Sequence, residues 1–261
     1  MTAEKPAMAF GWRVFGLGVI AVAIVVFALR DFAPGQPMPA GFPDRTLLAY
    51  ATGAFLLLAG AAMEWRRTVV WAAGALAAYY TVLVVILMDG RVILRNAHLF
   101  MAYSNTAEQL AIAAGAVIVF ATYARIDPVW AQRLTKAGQI AFGVCAILFG
   151  GAHFFYMDMT APLVPTWLPP SQLFWGYATG VFHVAAGVAI LTGVQARLAA
   201  ILLTVMFALF TPLVHVPLFL ADPHNHRNWA ENATNLVLTG AAWVVADSLA
   251  RGRRGGVSSA R

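Results

Sequence analysis

The chain has 261 residues, of which 61% are hydrophobic and 11% charged, with a mean hydropathy of +0.74 and a formal net charge of +6. This balance excludes an ordinary water-soluble domain and points to lipid as the main solvent. A single cysteine, Cys145, excludes an internal disulfide and a Cys-x-x-Cys redox motif, and the positive charge lacks the basic and aromatic interleaving of a nucleic-acid surface.

The first apolar run, residues 10–29, is long enough to cross about 30 Å of hydrocarbon at about 1.5 Å per residue. It lacks a small-residue cleavage site and so reads as a retained helix rather than a signal peptide. A loop from Asp31 to Asp44 follows, stiffened by Pro34, Pro37, Pro39 and Pro43. Runs 46–63, 68–88 and 103–123 complete a first group of four. At Ile126-Asp127-Pro128 a junction begins, with Asp127 capping a short helix and an amphipathic piece through Lys136 suited to the inner membrane surface. Runs 137–157, 173–193, 196–220 and 229–249 form the second group. The loop after its first run, Asp158 to Ser171, again carries four prolines, and Trp167 within it suits an interface anchor or a ligand-stacking ring. Residues 251–261 form a basic tail matched to anionic headgroups. The ten-residue alternation of a β-barrel is absent.

The second group repeats the first. Tyr50-Ala-Thr-Gly-Ala-Phe55 with Ala59-Gly60 returns as Tyr177-Ala-Thr-Gly-Val-Phe182 with Ala186-Gly187, and at the same offset of 127 residues Phe15-Gly16, Asp31 and Pro43 match Phe142-Gly143, Asp158 and Pro170. The expected fold is therefore all-α: an integral membrane protein of eight transmembrane helices in two parallel four-helix repeats packed side by side. Its parts are a first repeat (1–124), a cytoplasmic junction (125–136), a second repeat with the polar site (137–250) and the tail (251–261). With the amino terminus inside, twelve Lys and Arg fall on the cytoplasmic side and five, Arg30, Arg45, Arg91, Arg95 and Arg227, outside. Both termini are thus expected in the cytoplasm of a bacterial-type cytoplasmic membrane.

The copies differ in their histidines. His153, His183 and His215 of the second stand where the first has Val26, Leu56 and Met88, so chemistry is expected in the second half. A neutral imidazole hydrogen-bonds or ligates iron, copper or zinc. Thr179, one turn before His183, is a ready partner for it, and Pro212 and Pro217 bracket His215 in a helix expected to bend. His224 and His226 follow Asp222-Pro223 as an exposed turn or a metal-facing pair. Glu108 and Glu231 open the last helix of each copy, where a carboxylate is favoured by unpaired N–H groups.

Gly150-Gly-Ala-His153-Phe, the Leu168-Pro-Pro turn, Tyr177-Ala-Thr-Gly180, the basic turn at Arg197 and Val214-His-Val-Pro217 together resemble the DoxX-type membrane protein family. The resemblance covers residues 137–250 and, more faintly through the repeat, 10–124. It implies a four-helix membrane unit, and some members are similar to the quinone-reducing membrane subunit of thiosulfate oxidation. The family often has glutamate where this chain has His183.

The expected function is an oxidoreductase-associated membrane subunit that binds quinone or quinol near the outer leaflet, with haem, iron or copper as further cofactors. His183, Asp158 and Glu231 are the expected catalytic and proton-handling groups. His183, His215, Trp167 and Tyr177 are expected to bind the cofactor, and His153, His183, His215, His224 and His226 to ligate a metal. Expected partners are membrane lipids and an extracytoplasmic or membrane redox protein, with no nucleic acid. A small-solute transporter and a non-catalytic assembly subunit are the alternatives.

Overall fold

The computed structural model describes residues 10–258, with side chains through residue 250. The basic tail therefore lies outside the described side chains. Among the described residues eight helices are long and apolar enough to cross a membrane: α1 (Gly11–Leu29), α2 (Arg45–Met63), α3 (Val69–Arg95), α4 (Phe100–Tyr123), α5 (Pro128–Phe155), α6 (Gln172–Thr192), α7 (Ala196–Ala221) and α8, of which His226–Ala250 is the apolar span. No strand occurs among the described residues. Outward surfaces carry side chains such as Leu94, 86% exposed, and Trp71, 80% exposed, which suits contact with acyl chains rather than water.

The junction and the fifth apolar run are one helix rather than two. Asp127 caps it as expected, its carboxylate accepting from the N–H groups of Val129 and Trp130 at 2.9 and 3.2 Å. Nothing between Pro128 and Gly138 interrupts the helix, so the amphipathic opening runs straight into the apolar span.

The two expected side-by-side four-helix units share their packing. Each helix lies against the next, α8 closes the ring against α1, and α4 and α8 touch across its middle. Hence α1 packs along α8 of the other half rather than along α4, and α5 packs along α4. Small residues explain the choice. A Cβ on Gly18 would stand 2.5 Å from the Val237 nitrogen and one on Gly240 2.3 Å from the Phe15 nitrogen, so the α1 and α8 backbones meet where side chains are missing. The central helices α4 and α8 are the most enclosed, each 67% buried over its apolar window.

Positions 127 residues apart have like surroundings. Gly16 faces the Gly60 carbonyl as Gly143 faces that of Gly187. Phe27 stacks on Tyr50 at 6.0 Å as Phe154 approaches Tyr177 at 6.1 Å. Among the described residues two helices contain π-helical stretches, Tyr79–Asp89 in α3 and Thr211–His215 in α7, and both are the third helix of their half. The end of the bundle that carries loops 30–44 and 156–171 is called the strap end below, and the end that carries 124–127 the junction end.

Candidate functional site

Helix α6 begins at Ser171, whose hydroxyl accepts from the Phe174 N–H at 3.1 Å, while the Trp175 indole donates to the Pro169 carbonyl at 2.8 Å. Its glycines then admit α5 at close range: a Cβ on Gly150 would stand 2.6 Å from the Gly180 carbonyl oxygen. That crossing sets His153 of α5 against His183 of α6, with ring centroids 5.6 Å apart and planes inclined by 27°. His183 is only 2% exposed. Phe149, Phe207 and Phe210 surround it at 5.9, 5.5 and 6.3 Å. In the first half the matching Val26 and Leu56 are fully buried, so the imidazole pair replaces an aliphatic contact.

The hydrogen bonding of His183 fixes its tautomer. Its Nδ1 lies 3.0 Å from the Thr179 carbonyl oxygen. A carbonyl only accepts, so Nδ1 carries the hydrogen and Nε2 of the neutral ring is a bare acceptor. That Nε2 is buried and has no partner, as is Nδ1 of His153, whose ring leans on the Gly176 backbone. An imidazolium at His183 would be an unpaired cation in an aromatic box, which is costlier than a neutral ring. Two unpaired nitrogens side by side in an apolar core are unusual enough to mark a site.

A crevice of about 630 Å³ opens beside this box, between α6 and α7. Ala186 lines it from α6, Leu203 and Met206 from α7, and Val164 and Leu168 from the strap-end loop. Thr179 and Phe210 belong to both places: each lines the crevice, and each touches His183. The unpaired imidazole is therefore one side chain behind the crevice wall.

Helix α7 owes its shape there to α8. Pro212 lacks an N–H, and the π-helical stretch changes the pairing of neighbouring carbonyls. Asn235, 5% exposed, donates from Nδ2 to the Phe207 carbonyl at 2.9 Å and to the Thr211 hydroxyl at 3.0 Å. It thereby fixes the turn that carries Phe207 and Phe210. In the sequence, Asn235 reads only as an extension of the polar face beside Glu231.

The remaining expected site residues lie elsewhere. His215 is half-buried in the π-helical stretch and makes no ring contact with the pair, while His224 and His226 are exposed around the start of α8. Among the described residues no three His, Cys, Asp or Glu side chains come together as a metal-ligand set, so the five expected ligands reduce to one close pair. Asp158 is exposed in the helical turn Met157–Thr160. Glu231 binds Arg227 at 3.3 Å on the surface. Trp167 is 69% exposed, Tyr177 faces outward on Phe154, and neither lines the crevice; Trp175 does. These residues belong to loops and outward helix faces, and the periodicity of an apolar helix does not reveal which face turns inward.

The first half holds a polar group that sequence reading passes over. Its loop is strapped down: Arg45 grips Asp31 at 2.8 and 3.0 Å and the carbonyls of Met38 and Pro39, and Arg91 donates to the Pro37 carbonyl at 2.6 Å. Phe32, Ala33 and Gln36 are buried beneath, Gln36 beside Tyr80. Farther along α3, Asp89 is 4% exposed with Oδ2 unpaired, and Glu108 is within electrostatic reach of Asp89, Glu231 and Arg227. The available signal was an aspartate ending the apolar stretch Tyr79–Met88.

A family model described as "Domain of unknown function (DUF8561)" matches residues 142–246, the stretch that holds the stacked histidines, the crevice and Asn235. No curated protein matches the chain, and no solved structure does.

Proposed function

We propose that this chain is a multi-pass subunit of a bacterial-type cytoplasmic membrane, with both termini inside, that binds a quinone or quinol for a partner oxidoreductase. The single observation that carries the reading is the unpaired Nε2 of His183 one side chain behind an apolar crevice. A crevice of this size falls among ligand sites, and its lining suits an isoprenoid tail more than a polar solute. The head would reach His183 and His153 when Phe210 turns aside. The likeness to the DoxX-type family is consistent with the reading, as is a tandem duplication in which the second copy gained the site.

The residues fit a quinone better than a bound metal. A protein-caged ion needs more donors than the pair offers. Haem iron needs only one or two axial nitrogens, and His183, with Nδ1–H held by a carbonyl and Nε2 bare, is in the state such a ligand requires. The apolar lining of the crevice favours a tailed quinone over haem here. In either case the partner protein would be the other party to electron transfer, while Asp158 and Glu231 on the strap side would exchange protons with water.

The test is photolabelling of the full chain in membranes with an azido-quinone. Label is expected within residues 172–214, displaced by excess unlabelled quinone and reduced by Ala189→Phe, which fills the crevice. Label spread over all eight helices and insensitive to competitor would refute the reading. Transport is the second reading, favoured by one observation: the π-helical stretches occupy the same helix of each half, as do the irregular helices of alternating-access carriers. Flux of a solute through liposomes containing the protein would support it.

A further inference from the structure

Resting on the quinone-site reading above, we infer that the site takes the reduced, hydroxyl-bearing form of its ligand: a hydroquinone donating a hydrogen bond to Nε2 of His183. The reason is the direction of the hydrogen bonds already in place. Nδ1 must carry the ring hydrogen, because its partner is the Thr179 carbonyl. Nε2 therefore offers a lone pair. A quinone carbonyl offers a lone pair too, and the two repel. A hydroquinone hydroxyl supplies the missing donor.

Inverting the ring's tautomer to suit a quinone would leave a bare Nδ1 facing the Thr179 oxygen at 3.0 Å, so the helix backbone itself resists the change. Nor do the surroundings supply a donor to Nε2. Three of the four rings packed on His183, those of Phe149, Phe207 and Phe210, have no polar hydrogen. The fourth, His153, leans on the Gly176 backbone and leaves its own Nδ1 unpaired. The core thus presents unpaired nitrogens in a space closed to water, where an unmet acceptor is expensive and a donor from the ligand is correspondingly favoured. The apolar crevice fits the tail of either redox form, so discrimination falls to the head.

The full chain in nanodiscs is titrated under argon with three probes sharing one decyl tail: a benzoquinone, its hydroquinone, and the dimethyl ether of that hydroquinone, which keeps the shape without the donor. The hydroquinone is expected to bind about tenfold tighter than the other two. In His183→Leu the three affinities should converge. Equal affinity of hydroquinone and ether, or tighter binding of the quinone, would overturn the inference and leave the quinone site standing. Failure of all three to bind would overturn both. Should His183→Leu fail to fold, the comparison among the three probes on the unaltered protein decides alone.

Discussion

Buried or strapped polar side chains in both halves are each answerable to a substitution. Asn235 supplies donors to a carbonyl and a hydroxyl on a neighbouring helix, so Asn235→Leu leaves the Phe207 carbonyl unpaired. The expected loss is about 1–3 kcal/mol, read as a lower unfolding midpoint in detergent, with weaker ligand binding because Phe210 loses its support. At the strap end, partial burial pushes the Asp31 carboxyl upward, but the hydrogen bonds from Arg45 and the Phe32 N–H, with the Arg45 charge, outweigh it and hold it below its ordinary value. A depressed folded-state value stabilises above the ordinary carboxylate range, and this contribution is lost as pH falls through the lowered value. Asp31 is 44% exposed, so solvent screening limits the effect to less than about 1 kcal/mol. Limited proteolysis of loop 30–44 should accelerate at acid pH, and Asp31→Asn should cleave fast at every pH. Of these residues the sequence marked His183 by its depth and its repeat partner Leu56. The bracing role of Asn235 stayed hidden because its partners are backbone and side-chain groups on another helix.

At the scale of elements, hydropathy alone locates all eight helices, since a backbone in hydrocarbon must satisfy its own hydrogen bonds and a long apolar run has few other solutions. Irregularities inside them were less legible. Pro212 announced a disturbance in α7, whereas the π-helical stretch Tyr79–Asp89 contains no proline to announce it. Helix crossings depend on missing side chains. Gly150→Leu should separate α5 from α6 and pull His153 from His183, because even a Cβ would stand 2.6 Å from the Gly180 carbonyl. The matching crossing in the first half, tested by Gly60→Leu, should lower stability while leaving ligand affinity in the surviving folded fraction near its normal value. Comparable affinity losses in both variants would contradict an assignment of the site to the second half.

The whole molecule is an interlocked ring. A repeat of 127 residues suggested two four-helix units packed side by side, and in the structure α1 packs along α8 of the other half and α5 along α4. Residues 1–124 and 125–261 expressed separately should aggregate or be degraded, and should recover a monodisperse complex when co-expressed. The repeat itself was visible because identical small residues serve equivalent crossings, whereas the exchange of α1 and α5 between halves depends on which small-residue faces meet in space. On this account the duplicated ring is scaffold, and the second half differs by adding a bare imidazole behind an apolar crevice. The most direct test is gentle purification from native membranes, followed by organic extraction and quantification of quinone, with visible spectra recorded on the same sample. Close to one quinone per chain is expected, lost on Ala189→Phe without loss of the folded protein. A preparation free of quinone, or one in which the filled crevice retains it fully, would contradict the assignment.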